Sequence, residues 1–189
     1  MTKVVAITGY KSFELGIFKQ DHIAIQYIKR AFRKRLLTLI EGNLEWILIS
    51  GQLGTELWVA EEIFDLQTEF PNVKLAVLTP YLDQESKWND FNKEQYEFIV
   101  SQADFVDSIT KRPYENPGQL KAKNQFIIQK SDALIAFYDD EKQGSPLFMI
   151  QEAKRRAERE DYPIILITPL DIEELILEDK YSDPANWSS

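Results

Sequence analysis

Residues 46–56 read Trp-Ile-Leu-Ile-Ser-Gly-Gln-Leu-Gly-Thr-Glu, and this stretch decides the fold. Residues 46–49 form a short, continuous apolar run with β-branched members, which predicts a strand buried on both faces. From Glu56 onward, apolar residues recur every three or four positions and predict an amphipathic helix. A strand that passes through a glycine-containing turn into a helix is typical of the repeating unit of parallel α/β folds.

The turn between this strand and this helix has the geometry of an anion site. Unpaired backbone N–H groups at a helix N-terminus point into such a turn, and the helix dipole favours negative charge there. Gly51 and Gly54 would let a ligand approach the backbone, although a turn that needs glycine for steric reasons alone fits equally well. Glu56 would bond ribose hydroxyls and repel a bare phosphate; the alternative is a carboxylate that only stabilises the helix dipole.

The remainder of the chain repeats this alternation of strands and helices. Further strands are predicted at residues 3–8, 73–79, 104–109, 133–138 and 163–168, and further helices at about 21–41, 93–102, 119–130, 146–160 and 169–177. This spacing predicts an α/β fold, a Rossmann-like three-layer sandwich with a mainly parallel sheet covered by helices on both faces. Residues 1–178 are expected to form a single domain, followed by a polar tail over residues 179–189.

Two further loops at predicted strand ends are candidates for ligand binding. Gly9, Tyr10 and Lys11 would offer clearance, a stacking ring and a positive charge, and a plain surface turn is the alternative. Gly144 precedes Ser145, a predicted helix N-cap, so a ribose or phosphate is expected to fit there as well. Because parallel α/β sheets bind ligands beyond the carboxyl ends of their strands, the three turns are predicted to converge.

Two more residues complete the predicted site. Arg112 lies in a loop with two prolines and a glycine, where its guanidinium would grip phosphate, or where the loop would only be an exposed connector. Asn124 lies in a predicted helix, and because Asn is a poor helix former it is expected to make a specific hydrogen bond. The candidate ligand-binding residues are therefore Gly9, Tyr10, Lys11, Ser50, Gly51, Gln52, Gly54, Thr55, Glu56, Arg112, Asn124, Gly144 and Ser145.

The composition excludes several kinds of chemistry. The chain has no cysteine, which removes disulfides, thiolate metal sites and cysteine nucleophiles. Its single histidine, His22, lies at a helix start away from the strand ends, so a Ser-His-acid triad is not expected. The ligand spacing of a metal site is missing, and no metal is predicted. A P-loop motif is missing too.

Charge and hydropathy indicate the expected surroundings of the protein. No apolar run approaches the roughly 20 residues that span a bilayer, and the sequence enters a strand directly, so a cytoplasmic protein is expected. The net charge of −9 opposes binding to nucleic acid. The basic residues between Lys29 and Arg35 favour a solvated helix face over a phosphate-binding ridge.

Four motifs, in this order, resemble those of the YpsA-like proteins of Gram-positive bacteria. They are Thr8-Gly9-Tyr10-Lys11, the stretch from Ser50 to Trp58, Lys111-Arg112-Pro113-Tyr114 and Lys123-Asn124-Gln125, and the likeness covers essentially the whole chain. That family belongs to the SLOG superfamily, with the LOG phosphoribohydrolases and DprA. The resemblance implies a Rossmann-like fold that binds a nucleotide-derived ligand, with NAD or ADP-ribose proposed for some branches, and a link to bacterial cell division.

Three functions follow as expectations. The first is a regulatory protein that binds an NAD- or ADP-ribose-like ligand, contacts a cell-division partner and carries no certain cofactor; a homo-oligomer stays open. The second is a hydrolase of nucleotide N-glycosidic bonds with Glu56 as its acid or nucleophile. LOG enzymes carry Pro-Gly-Gly-x-Gly-Thr-x-x-Glu, but Phe148 stands here at the place of that glutamate, which argues against their route. The third is a DprA-like nucleic-acid adaptor that uses residues 29–35.

Overall fold

Parallel strands and helices alternate along residues 1–187, the part of the chain that the structure, a computed structural model, describes. The strands are β1 (Val4–Gly9), β2 (Trp46–Ile49), β3 (Lys74–Thr79), β4 (Phe105–Ser108), β5 (Ala133–Phe137) and β6 (Ile164–Ile167). The helices are α1 (Ile23–Glu41), α2 (Thr55–Glu69), α3 (Asp90–Gln102), α4 (Gly118–Lys130), α5 (Pro146–Ala157) and α6 (Pro169–Ser182). Short 3₁₀ turns lie at Phe13–Leu15 and Pro184–Trp187.

The strands form one sheet in the order β4-β3-β2-β1-β5-β6, with every pair parallel. The chain builds outward from β1 to β4 and then returns to the other side of β1 with β5 and β6. The strand order therefore reverses between β1 and β5, and the crevice beyond the carboxyl ends of these two strands is where such sheets bind ligands. The predicted Rossmann-like α/β fold is confirmed.

The helices group into two sets that cover the two faces of the sheet. Helix α6 contacts α1, α1 contacts α2 and α2 contacts α3, while α4 contacts α5. Right-handed crossovers between parallel strands place the first set on one face and the second set on the other. The central strands are buried along almost their whole length because they lie between the two helical layers, whereas the edge strands β4 and β6 are partly exposed.

Two helix starts differ from the sequence-based expectation. Helix α1 begins at Ile23 instead of about residue 21, because His22 is its N-cap, with the His22 Nδ1 accepting from the Ala24 N–H at 3.1 Å. Helix α3 begins at Asp90 instead of about residue 93, because the Asn89 side chain caps it by accepting from the Asn92 N–H at 2.8 Å. Both caps are short-range side-chain contacts that hydrophobic periodicity does not reveal.

The last helix also extends further than its apolar pattern. Helix α6 was expected to end near residue 177, but it continues to Ser182. The Asp179 carboxylate accepts from Arg30 at 2.6 Å and from the Tyr27 hydroxyl at 2.9 Å, which ties the end of α6 to α1. Within residues 1–187, no helix combines the length and the apolar character that crossing a bilayer requires.

Candidate ligand-binding site

A cavity of about 140 Å³ lies at the carboxyl edge of the sheet, and we call it the polar cavity. Its walls come from the ends of β1 and β2, from α4 and from the start of α5, and comprise Thr8, Gly9, Lys11, Gln52, Glu56, Leu120, Lys123, Asn124, Ser145, Phe148 and Met149. Residues predicted from three separate turns and from α4 therefore meet at one cavity. The predicted ligand-binding residues that line this cavity are Gly9, Lys11, Gln52, Glu56, Asn124 and Ser145.

Glu56 lies in the first turn of α2 and is only 4% exposed. Its carboxylate accepts from the Ser50 backbone N–H at 2.5 Å and from the Ser50 hydroxyl at 3.0 and 3.1 Å. Burial raises the pKa of Glu56, while the charge of Lys123 and the hydrogen bonds from Ser50 act in the opposite direction. Ser50 therefore holds the carboxylate in a fixed position beside the cavity.

Lys123 places a second buried charge at the same cavity. It is 7% exposed, and burial lowers its pKa while the charge of Glu56 raises it. Lysine is rarely this buried without a close partner. Among residues 1–187 its ammonium makes no hydrogen bond or short ion pair, and it interacts with Glu56 across the cavity through charge alone. Lys123 therefore brings N–H donors without a partner among the described residues to the wall of the cavity.

Asn124 contributes an acceptor that the protein does not satisfy. The residue is 8% exposed, and its Oδ1 is buried without a hydrogen-bond partner among the described residues. Such an unpaired buried group costs about 1–3 kcal/mol. The expected hydrogen bond of Asn124 is thus missing within the protein, and its acceptor suits a ligand that carries a donor.

The glycines of the first two turns make room for neighbouring protein atoms. Gly54 has a φ of +91°, and a Cβ there would lie 2.4 Å from the Ser12 nitrogen. A Cβ on Gly9 would lie 2.4 Å from Cγ2 of Thr55, whose N–H and hydroxyl both donate to the Tyr10 carbonyl, at 3.1 and 2.8 Å. The two turns are therefore locked against each other, and of these glycines only Gly9 also lines the cavity.

The space beside Gly51 is occupied by side chains from other parts of the chain. Its φ is +79°, and a Cβ would lie 2.9 Å from both the Gln84 amide nitrogen and the Tyr96 ring. Gln84 is buried and donates to the Ser50 carbonyl at 2.9 Å. A ligand was expected to lie close to the Gly51 backbone, but the Gln84 side chain occupies that space. The sequence patterns did not single out Gln84.

Tyr10 lies in the core and does not face the cavity. Its side chain is fully buried, with its ring 5.3 Å from that of Phe137 in a T-shaped arrangement. Its hydroxyl accepts from the Asp139 N–H at 2.8 Å and donates to the Lys142 carbonyl at 2.6 Å. The ring that was expected to stack on a ligand instead fixes the loop between β5 and α5.

The N-terminus of α5 is occupied by a carboxylate from the chain itself. Glu14 accepts from the Ser145 N–H at 2.7 Å, from the Ser145 hydroxyl at 2.6 Å and from the Lys11 N–H at 2.8 Å. Burial would raise the pKa of Glu14, but these hydrogen bonds outweigh it and lower the pKa below its ordinary value. A Cβ on Gly144 would lie 2.5 Å from Glu14 Oε2, so this glycine admits the carboxylate.

Arg112 is not part of the polar cavity. Its side chain is exposed and pairs with Glu115 at 3.2 Å. The loop around it is held by Gln119, which is 2% exposed, accepts from the Glu115 N–H at 2.6 Å and donates to the Thr110 hydroxyl at 2.9 Å. The loop therefore has a defined structure of its own, and Arg112 does not line the polar cavity.

The basic segment of α1 is largely neutralised by acidic neighbours. Lys29 pairs with Glu61 at 2.7 Å, and Arg33 contacts three carboxylates of α2 at 2.9–3.0 Å. Arg30 and Arg35 pair with acids of α6, at 2.6 and 3.6 Å. These ion pairs join the helices of one layer and leave little of the charge for nucleic acid. Residues 1–187 contain no group of three or more histidine or acidic residues placed to hold a metal ion.

An all-parallel sheet whose strand order reverses beside a polar cavity at its carboxyl edge defines a Rossmann-like α/β protein. The chain belongs to the YpsA SLOG family, since the YpsA family model, described as the YspA SLOG family, matches residues 5–172. It is similar to the UPF0398 proteins of Bacillus cereus strain B4264 and Bacillus anthracis strain A0248. Each is 55% identical over 181 residues, which cover 96% of this chain and 98% of the relative.

One solved structure supports the fold independently. The DNA processing protein A of Helicobacter pylori, which binds single-stranded DNA, superimposes with a TM-score of 0.57 over 96% of this chain and 75% of its own. At 20% identity this likeness concerns the fold alone. The resemblance that the four sequence motifs indicated is confirmed at the level of the family.

Proposed function

We propose that this protein is a cytoplasmic regulatory protein that binds a nucleotide-derived ligand of the NAD or ADP-ribose type and acts on a partner in cell division. The single observation that carries the proposal is the pair of buried, opposite charges of Glu56 and Lys123 at one cavity. Burying two charges that do not touch costs stability, because each loses its hydration without gaining a close partner of opposite charge. A ligand that bonds to both would offset that cost.

The size of the polar cavity limits which part of the ligand it holds. Its volume of about 140 Å³ has room for several water molecules. That space suits a sugar ring with its substituents and excludes a whole dinucleotide. Glu56 would accept from ribose hydroxyls, and Lys123 and Lys11 would balance the charge of an attached phosphate.

The experiment that tests the proposal begins with the native protein. Mass spectrometry of the small molecules that co-purify would identify the ligand class, and calorimetric titration with NAD and ADP-ribose would measure affinity. Glu56→Gln should weaken binding about 10- to 100-fold, because a hydrogen bond to a charged group is worth about 1.5–3 kcal/mol. Glu61→Gln is the matched control, since Glu61 lies on the same helix but pairs with Lys29. Equal affinities for Glu56→Gln and the wild type would refute the site.

The second candidate function is hydrolysis of a nucleotide N-glycosidic bond. Burial raises the pKa of Glu56, which suits a general acid, and the carboxylate borders the cavity. Incubation with nucleoside monophosphates, NAD and ADP-ribose, followed by chromatography, separates the two functions. Release of a free base that stops in Glu56→Gln would favour the enzyme; intact nucleotides after long incubation would favour binding alone.

A further inference from the structure

A second and larger cavity lies between α4 and α5, and we call it the helix groove. Its volume is about 500 Å³, and it is lined by Pro117, Leu120, Lys121, Asn124, Phe148 and Arg155, among others. Three of its lining residues, Leu120, Asn124 and Phe148, also line the polar cavity. The two spaces therefore adjoin at these residues, and we treat them as the small end and the larger end of one elongated site.

The larger end presents an exposed aromatic ring. Phe148 lies in the first turn of α5 and is 64% exposed, although it borders the polar cavity. Leu120 of α4, 37% exposed, borders the same space. A solvent-exposed aromatic ring at the rim of a cavity can stack against a planar ring of a ligand. Stacking of a nucleobase on an aromatic side chain is strong and does not depend on which base is present.

Asn124 lines both spaces, and its side-chain amide can recognise a ligand through hydrogen bonds of defined direction. Its Oδ1 is buried and unpaired within residues 1–187, so the site provides an acceptor that needs a donor. Asn amides recognise adenine by accepting from its N6 amino group and donating to N7. Hypoxanthine and guanine carry a carbonyl at the corresponding position, which would place an acceptor against Oδ1.

We propose that the helix groove binds the adenine ring of the ligand, stacked on Phe148 and read by Asn124, while the sugar occupies the polar cavity. This inference rests on the proposed function and extends it, because it assigns the base to a separate part of the site. It makes the protein selective for adenine-containing ligands over their inosine counterparts.

The test uses calorimetric titration of the full chain with ADP-ribose, its inosine analogue and ribose 5-phosphate. We expect ADP-ribose to bind at least ten-fold more tightly than the inosine analogue, a difference that Asn124→Ala should remove. Phe148→Ala should weaken ADP-ribose about ten-fold more than it weakens ribose 5-phosphate, because Phe148 borders the polar cavity but would stack only on the base. Phe98→Ala is the control, since Phe98 is a similarly exposed aromatic on α3, in the other helical layer.

Failure of the inference is distinguishable from failure of the proposed function. Equal affinities of ADP-ribose and its inosine analogue, or an unchanged ADP-ribose affinity in Phe148→Ala, would overturn the assignment of the base to the helix groove. If ribose 5-phosphate still bound in a manner that depends on Glu56, the polar cavity would keep its role. No binding by any of the three probes would overturn both proposals.

Discussion

Two strand-to-helix turns of this protein look alike in sequence and differ in what occupies them. Residues 50–54 connect β2 to α2, residues 138–145 connect β5 to α5, and both connections contain glycine and lie at the carboxyl edge of the sheet. At the first turn, Glu56 is held by Ser50 beside a cavity. At the second, the carboxylate of Glu14 fills the helix N-terminus.

The difference shows what a glycine-rich turn can and cannot indicate. The pattern identifies a helix N-terminus with accessible N–H groups, which attracts an anion. It does not say whether that anion is a ligand or a side chain from elsewhere in the chain. Here the occupant of the second turn is Glu14, which lies 131 residues before Ser145.

The largest expected effect comes from placing the same methyl group in both turns. Gly54→Ala should destabilise the protein by about 3 kcal/mol or more, since its Cβ would lie 2.4 Å from a backbone nitrogen at a φ of +91°. Gly144→Ala should cost less, about 2 kcal/mol, since the atoms that must shift belong to side chains, Glu14 Oε2 at 2.5 Å and the Tyr10 ring at 3.0 Å, and not to the backbone. Urea denaturation measures both. Gly16→Ala, with no atom within 4 Å at a φ of +67°, controls for backbone strain at about 1 kcal/mol. Equal losses at Gly54 and Gly144 would contradict the packing.

Removal of Glu14 should convert the second turn into an open anion site. Glu14→Ala should lose about 2 kcal/mol of stability, because three hydrogen bonds to one carboxylate disappear. Inorganic phosphate should then raise the melting temperature of the variant more than that of the wild type, at matched ionic strength. Glu45→Ala, which removes an exposed ion pair with Lys3, should show neither effect. A phosphate response as small as that of the wild type would show that the turn does not bind anions.

The two carboxylates should also respond to pH with opposite signs. The pKa of Glu14 is lowered in the folded state, so its contribution to stability is present above the unfolded value of about 4.5 and is lost as pH falls below it. The pKa of Glu56 is raised, so its contribution is present below about 4.5 and is lost as pH rises through the folded value. Lys123 and Lys11 face Glu56 and oppose this loss.

Unfolding free energies of the wild type, Glu14→Gln and Glu56→Gln between pH 3 and 8 would measure these contributions, at about 1.4 kcal/mol per unit of pKa shift. Relative to Glu14→Gln, the wild type should gain stability as pH rises from the acid end. Relative to Glu56→Gln, it should lose stability over the range above pH 4.5. Parallel curves for the two variants would contradict the assigned environments.

The smallest expected effect is an increase in stability. Asn124→Leu should raise the unfolding free energy by about 1 kcal/mol, because it removes a buried acceptor without a partner. The neighbouring Gln125→Leu, at an exposed position, should change stability by less than about 0.5 kcal/mol. Thermal denaturation measures both. A loss of stability in Asn124→Leu would mean that the amide makes a structural contribution.

The fold was predictable because its signals are local. Each buried strand is a short apolar run between breakers, and the alternation with helices determines a parallel sheet. Convergence of the turns at one edge also follows, because parallel strands end on the same side. The caps at His22 and Asn89 and the extension of α6 to Ser182 depend on individual side-chain contacts and did not follow from the pattern.

The composition of the site was only partly predictable, for a physical reason. Glu56 and Asn124 carried local signals, a carboxylate in a first helical turn and a poor helix former within a helix. Lys123 gave no such signal, since a lysine on a helix normally lies in solvent. The roles of Glu14 and Tyr10 depend on partners about 130 residues away, which no window of sequence contains.

The central position of β1 has a consequence for how the protein is made. β1 pairs with β2 early in the sequence, but its other neighbour, β5, ends at Phe137. During synthesis, one edge of β1 therefore lacks its neighbouring strand until more than two thirds of the chain has left the ribosome. The walls of the polar cavity, which include residues as late as Met149, come together only at that late stage of synthesis.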